Sequence, residues 1–446
     1  MRKAAMFPTS PEHLTMNEVL RSAGETRSLL MGPGVLANTP EVFRTLFPGQ
    51  QAAIVADSTT FEVAGRNVGR GLTSAGLSCV EPFIFGRSKF SAEHDCVEQL
   101  QTSFGRHNAI PVAVGSGTIN DTVKLAAHRV GRPYLCVATA ASMDGYAAFG
   151  ASITFRSAKQ TFSCPAPRGI IADLDIIREA PAEMTASGYA DLLAKITAGA
   201  DWILADALEV EPIHHRAWAI VQAGLGDALA DPAGARAGDP AAISRLVEGL
   251  MRAGFAMQCV SSSRPASGAE HQFSHLWDME GHTHRGEAPS HGFKVGIATL
   301  TVASLYERLM QERFEDLDVA SCVAAWPSAA DAEARTRRLF EGERLMDVAM
   351  VESSAKYVRG GELELQLLRL REVWPALRTR LRAHLIPCAE MKRLLLAVGA
   401  PTEPEEIGLT PEHVRRSFFR AQLIRRRFTV LDLMMRSGLA SLGSPG

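Results

Sequence analysis

A chain of 446 residues is longer than one hydrophobic core normally supports, so two or more domains are expected. With 46% apolar and 22% charged residues, its composition is that of a globular protein and not of a disordered or fibrous one. A formal net charge of -2 argues against nucleic acid as a partner, and no apolar run approaches the roughly 18 residues of a membrane span. Seven scattered cysteines without a CxxC pair, and a start, Met1 to Ser10, with no signal-like apolar run, point to reduced thiols in the cytoplasm.

Short apolar runs at 52–56, 109–114 and 134–137, each followed by a helical pattern, predict parallel β/α units. They end at Asp57, Gly115 and Thr139, and in an open α/β sheet the carboxyl edge is where ligands bind. The turn Gly115-Ser116-Gly117-Thr118 leads into a helix and suits either a phosphate cradle or a plain βα turn. The complete GxGxxG spacing is missing, since Asn120 stands at the third position. After the next strand, Thr139 to Ser142 and Asp144-Gly145 offer small residues against which a flat ring or ribose fits, and an ordinary turn reads equally well.

Residues 165–168 are the expected end of the first domain, dividing 1–168 from 169–446. Long amphipathic patterns follow at 189–208 and 240–259, so the second domain should be mainly helical. Asp191 lies in an otherwise apolar helical stretch, where an unpartnered carboxylate would be costly. Five of the thirteen histidines fall between His271 and His291. His271 and His275, four apart, share one helix face, and His291 should open the next helix. Imidazoles joined by one carboxylate suit zinc, nickel or ferrous iron with a coordination position left for substrate; surface histidines and a capping acid are the other reading. His282 and His284 are expected in a loop, and the arginines at 415, 416, 420 and 425–427 on a solvated helix face. Thr410-Pro411 has the N-cap and N1 chemistry that starts a helix.

Taken in order, Gly115-Ser116-Gly117-Thr118-Ile119-Asn120-Asp121, the Ser142-Met143-Asp144-Gly145 core, Ser187-Gly188-Tyr189 with Asp191 and Lys195, Gly268 with Glu270-His271, and His291-Gly292 resemble the sn-glycerol-1-phosphate dehydrogenases. These belong to the iron-containing alcohol dehydrogenase and dehydroquinate synthase-like superfamily. The resemblance runs from about Asp57 to beyond Arg427. It implies an α/β N-terminal Rossmann-like domain, an all-α C-terminal domain, and an active site in the cleft between them. By that resemblance Asp57, Gly115, Ser116, Gly117, Thr118, Ile119, Thr139, Ala140, Ala141 and Ser142 match nucleotide-contacting positions for NAD(H) or NADP(H). Asp191, His271 and His291 match metal ligands for one divalent ion, and Asp144 and His275, with Asp191 again, match positions at the substrate. The reaction so implied is interconversion of dihydroxyacetone phosphate and glycerol 1-phosphate in a homo-oligomer. A glycerol or polyol dehydrogenase and a dehydroquinate synthase-like lyase are the alternatives. Ala148, where the family offers a hydroxyl, and the His-rich insert 279–290 depart from the pattern.

Overall fold

The computed structural model describes residues 14–86, 91–155 and 158–440. Its N-terminal part is built on a six-stranded parallel sheet in the order β1-β8-β5-β4-β2-β3, comprising β1 (Ser28–Gly32), β2 (Ala52–Asp57), β3 (Phe83–Phe85), β4 (Ile110–Gly115), β5 (Leu135–Ala138) and β8 (Gly169–Asp173). The inner strands carry uninterrupted apolar residues because helices cover both faces. The chain winds from β2 to β3 in one direction and from β4 to β5 in the other. The carboxyl ends of the adjacent β2 and β4, at Asp57 and Gly115, therefore flank a topological switch point, the crevice where such sheets take ligands.

The predicted strands at 52–56, 109–114 and 134–137 agree with β2, β4 and β5 to within a residue at either end. The expected boundary at 168/169 does not: Gly169–Asp173 lies inside the sheet, pairing with both β1 and β5, so the α/β part extends at least to Asp173. Polarity misled the reading, since Pro165 to Arg168 marks a turn before the last strand and not a linker. A two-stranded antiparallel hairpin, β6 (Ala151–Phe155) and β7 (Ala158–Phe162), also went unread.

From Ala182 onward the described chain is helical. The pattern at 189–208 resolves into two helices, Ala182–Leu193 and Lys195–Ala207, meeting at Ala194. Pro240–Val260 is a single helix, started by Asp239 accepting from the Ala242 N–H with Pro240 at N1. The helices Ala182–Leu193 and His291–Leu309 cross closely, and Ala269–Met279 packs on the latter. The close crossing is possible because Gly292 faces Ser187, where a β-carbon would overlap the Ser187 carbonyl; Gly188 likewise lets its helix lie against the segment after β5, where a β-carbon would overlap the Ala141 carbonyl. No helix among the described residues is long and apolar enough to cross a membrane.

The arginines at the C-terminal end are not a solvated stripe. Arg420 is buried between Glu280 and Glu343, and Arg427 is half-buried, donating to the Ser267 carbonyl at 2.7 Å and Ser263 Oγ at 2.9 Å. Helical spacing had shown their register but not the acids and carbonyls that other elements bring to them. Arg415 and Arg416 do face outward.

Candidate metal and nucleotide cleft

Three helices bring Asp191, His271 and His291 together. Asp191 sits near the end of Ala182–Leu193, His271 in the first turn of Ala269–Met279, and His291 opens His291–Leu309 behind the N-cap Ser290. One donor atom from each lies within 4.8 Å of the other two. Donors about 2.1 Å from a shared zinc-like ion would stand roughly 3 to 4 Å apart, so the set is of the right size as well as the right chemistry. His94, Asp95 and Glu98 form the other such group among the described residues, but they are partly or fully exposed and Arg129 holds His94 at 2.8 Å.

Neighbours leave Asp191 little freedom. Its Oδ1 accepts from Lys195 Nζ at 2.7 Å and faces His271 Nε2 at 3.5 Å; its Oδ2 accepts the Asp144 N–H at 3.1 Å. Burial alone would push its carboxyl up, yet Lys195 and the two histidines hold it well below the usual range. Lys195, fully buried, bridges Asp191 and Asp144 Oδ2 at 2.8 Å. The Asp144 carboxyl is raised, first by burial and then by the Asp191 charge.

His271 is oriented from behind. Its Nδ1 faces Glu270 Oε1 at 2.8 Å, and Glu270 also accepts from the Gly268 N–H at 2.6 Å and Thr197 Oγ1 at 3.0 Å. A carboxylate behind an imidazole fixes the tautomer and turns Nε2 toward the site. Burial disfavours the charged His271 ring, but the hydrogen bonds it donates to Asp191 and Glu270 prevail and raise it above 6.5. Burial pushes His291 down to about 3. Deeper still, Asp201 is pushed up to about 7 by burial and by Glu270.

His275 shares the helix face with His271, their ring centres 6.3 Å apart, but it lies outside the three-donor group. Its Nδ1 is buried without a hydrogen-bond partner, and burial followed by the Arg425 charge keeps the ring neutral. Asp144, His271, His275 and His291 line one cavity of about 670 Å³. The insert contributes His284, Glu287 and Ser290 to its wall. His282 turns away to the Ile407 carbonyl at 2.7 Å.

A second cavity of about 340 Å³ adjoins, sharing Ser116 and Met184. It lies over the carboxyl edge of the sheet, lined by Asp57, Thr60, Thr139 and Ala140. Asp57 caps its own turn by accepting from the Thr60 N–H at 2.8 Å. Ser116, Gly117 and Thr118 present the start of the helix Gly117–Arg129, where backbone N–H groups favour a phosphate. Ser142 and Ala148 line the larger cavity. The sequence reading placed three residues at the nucleotide that line neither cavity: Gly115, Ile119 and Ala141. Ile119 and Ala141 are core residues, and a β-carbon on Gly115 would strike Ile119, so this glycine serves packing. Sequence reasoning quoted Glu270, Lys195 and Ser187 without giving them work. Residues adjacent in a helix ordinarily point apart, so Glu270 behind His271 had no spacing signal.

The sequence profile of the iron-containing alcohol dehydrogenases matches residues 30–181, which hold the parallel sheet and the crevice at its switch point. The fold is similar over most of its length to a probable glycerol dehydrogenase from Sinorhizobium meliloti (TM-score 0.61, 16% identity, 94% of this chain and 98% of that one). Glycerol-1-phosphate dehydrogenase [NAD(P)+] of Pyrococcus furiosus is 33% identical over 285 residues, covering 63% of this chain and 78% of that one. The enzyme of the same name from Halalkalibacterium halodurans is 34% identical over 265 residues, 59% of this chain and 66% of that one. The chain belongs to the glycerol-1-phosphate dehydrogenase family.

Proposed function

We propose that this protein interconverts dihydroxyacetone phosphate and sn-glycerol 1-phosphate with NAD(H) or NADP(H), at a divalent ion held by Asp191, His271 and His291. The convergence of those three donors within 4.8 Å, at the base of a cleft continuous with the sheet's carboxyl edge, carries the reading. The names of its relatives support the substrate and cofactor. When bound, the ion would supply Lewis acidity at the ketone and the nicotinamide the hydride. Zinc, nickel and ferrous iron all suit two imidazoles and a carboxylate.

The chain's own residues then have definable work. Lys195 keeps Asp191 and Asp144 from repelling one another and fixes where each oxygen points. Glu270 holds the His271 ring with Nε2 forward. Asp144 and His275 border the space left for substrate. In reduction, hydride goes to the carbonyl carbon and one proton to its oxygen. His275, a neutral ring with a free Nδ1, is placed to pass that proton in from solvent. Ser116 to Thr118 with the helix behind them would hold the nucleotide's phosphates, and Asp57 the ribose side of the second cavity.

The direct test supplies metal-loaded protein with dihydroxyacetone phosphate and reduced nicotinamide. Expected is ketone-dependent loss of near-ultraviolet absorbance; its absence with any phosphorylated ketone would overturn the reading.

A further inference from the structure

A third cavity, of about 190 Å³, lies in the helical part and shares no lining residue with the two of the cleft. The helices Ala329–Leu339, Met346–Lys356 and Val430–Arg436 wall it, the first contributing Ala329 and Ala332, whose small side chains leave the space open. Packed interiors leave few voids larger than a water molecule, so an opening of this size asks for an occupant. A cavity of about 150 Å³ admits benzene. This one therefore takes a single ring with one small substituent, and nothing as large as a nucleotide. Its apolar side is aromatic and sulfur-rich. Trp326 and Tyr357 stand 6.3 Å apart between ring centres and 20° from parallel, and Met350 and Met435 join them in the lining. Trp326 Nε1 donates to the Val358 carbonyl and Tyr357 Oη to the Pro327 carbonyl, each at 2.9 Å, so both rings are held in place before any ligand arrives. Ring faces and thioethers favour a flat aromatic partner.

The polar side has donors to spare. Gln422, 7% exposed, lines the cavity and makes no side-chain hydrogen bond among the described residues, a costly state for a buried amide. Lys356, its side chain 10% exposed, meets Asp432 Oδ1 at 2.6 Å, which occupies one of the three donors of its ammonium. Arg335 lies over the Phe419 ring at 5.8 Å and has no carboxylate partner among the described residues, since the neighbouring Glu333 is taken by Arg337 Nη2 at 2.7 Å. With Arg436, which donates to Gln366 Oε1 at 2.5 Å, the lining holds three cations against the carboxylates of Glu333 and Asp432, an excess of one positive charge. We infer that this cavity is a binding site for a single-ring aromatic monocarboxylate, separate from the reaction cleft. The ring would pack on Trp326 and Tyr357, and the carboxylate would answer the unused donors of Arg335, Lys356 and Gln422 while balancing the charge.

Ligand-observed NMR titration of the metal-loaded full chain with benzoate, and separately with the uncharged benzamide, tests the site. Benzoate should bind with a Kd of about 1 mM or tighter, as a ligand of its size can. Benzamide should bind at least about tenfold more weakly, for want of the charged hydrogen bonds. Arg335→Ala changes an exposed position, so folding is not at stake, and should weaken benzoate about 5- to 10-fold. Ala332→Leu, which fills the space, should weaken it at least about tenfold; should that variant not fold, Arg335→Ala decides alone. No benzoate binding at about 10 mM, tenfold above the expected constant, would overturn the site. Benzamide bound as tightly as benzoate would overturn it too. So would benzoate binding that Arg335→Ala leaves unchanged, since the ligand would then sit elsewhere, at the metal for instance.

Discussion

Replacing Gly292 by alanine perturbs the metal site through packing alone. The added β-carbon would overlap the Ser187 carbonyl oxygen and lie 2.5 Å from its carbonyl carbon and 2.7 Å from its Oγ, whereas ordinary contact begins at 3.4 Å. The two helices must therefore part by about 1 Å or Ser187 must leave its place, at an overpacking cost of roughly 1–3 kcal/mol in stability. His291 is the next residue and moves with the helix start, while Asp191 stays on the other helix. Metal–ligand distances tolerate only about 0.2 Å, so the ion should be lost or bound far more weakly. A 1 Å displacement of a catalytic group costs on the order of 100-fold in rate. Gly296→Ala is the control, because one turn further on its β-carbon would meet the Ala190 methyl at 3.2 Å, a contact relieved by a few tenths of an ångström. Metal content after dialysis, kcat/KM and thermal unfolding should separate the two variants. If Gly292→Ala keeps one ion and wild-type activity while folding normally, the reasoning from the helix crossing is wrong.

Glu270→Gln keeps the shape behind His271 but removes the charge, and metal affinity by chelator competition should fall about 10- to 100-fold; unchanged affinity would deny Glu270 its positioning role. Lys195→Met leaves Asp144 and Asp191 buried together without their cation, for a loss of roughly 3–5 kcal/mol in unfolding free energy by denaturant titration. The His271 pKa is raised above 6.5, and the ion needs the ring unprotonated, so binding should be strongest above that raised value. Below it each pH unit should weaken binding about tenfold as one proton competes, and an affinity that stays flat from neutral pH into the acid range would contradict the assignment of His271.

The sheet was legible because β2, β4 and β5 are buried on both faces and read as unbroken apolar runs ended by glycine or polar residues. β8 carries the same signal, Gly-Ile-Ile-Ala-Asp, but stands after a proline-rich turn that reads like a linker. In the hairpin, β6 alternates polar and apolar residues over only five positions, too few for the pattern to be distinctive, and β7, with Lys159, Gln160 and Thr161 in a row, does not alternate at all. In the helical part, histidine enrichment marked His271, His275 and His291, while Asp191 came from resemblance, since one acid in an apolar helix does not say what it faces. Helical spacing would have paired His271 with His275; the fold instead puts His271 and His291 at 5.3 Å between ring centres, through a helix crossing that only Gly292 permits. The fold brings Arg425, expected on a solvated helix face, to Thr161 on β7, 264 positions away, at 3.4 Å.

The central claim is a metal-dependent transfer of hydride to a phosphorylated ketone, and one stoichiometric assay reaches it. Metal-loaded protein given limiting dihydroxyacetone phosphate and excess reduced nicotinamide should oxidise one cofactor per ketone, with glycerol 1-phosphate of the sn-1 configuration as product. Prior removal of the ion by a chelator should abolish the reaction, and adding the ion back should restore it. Cofactor oxidation that ignores the chelator, or none with the ketone present, would contradict the account.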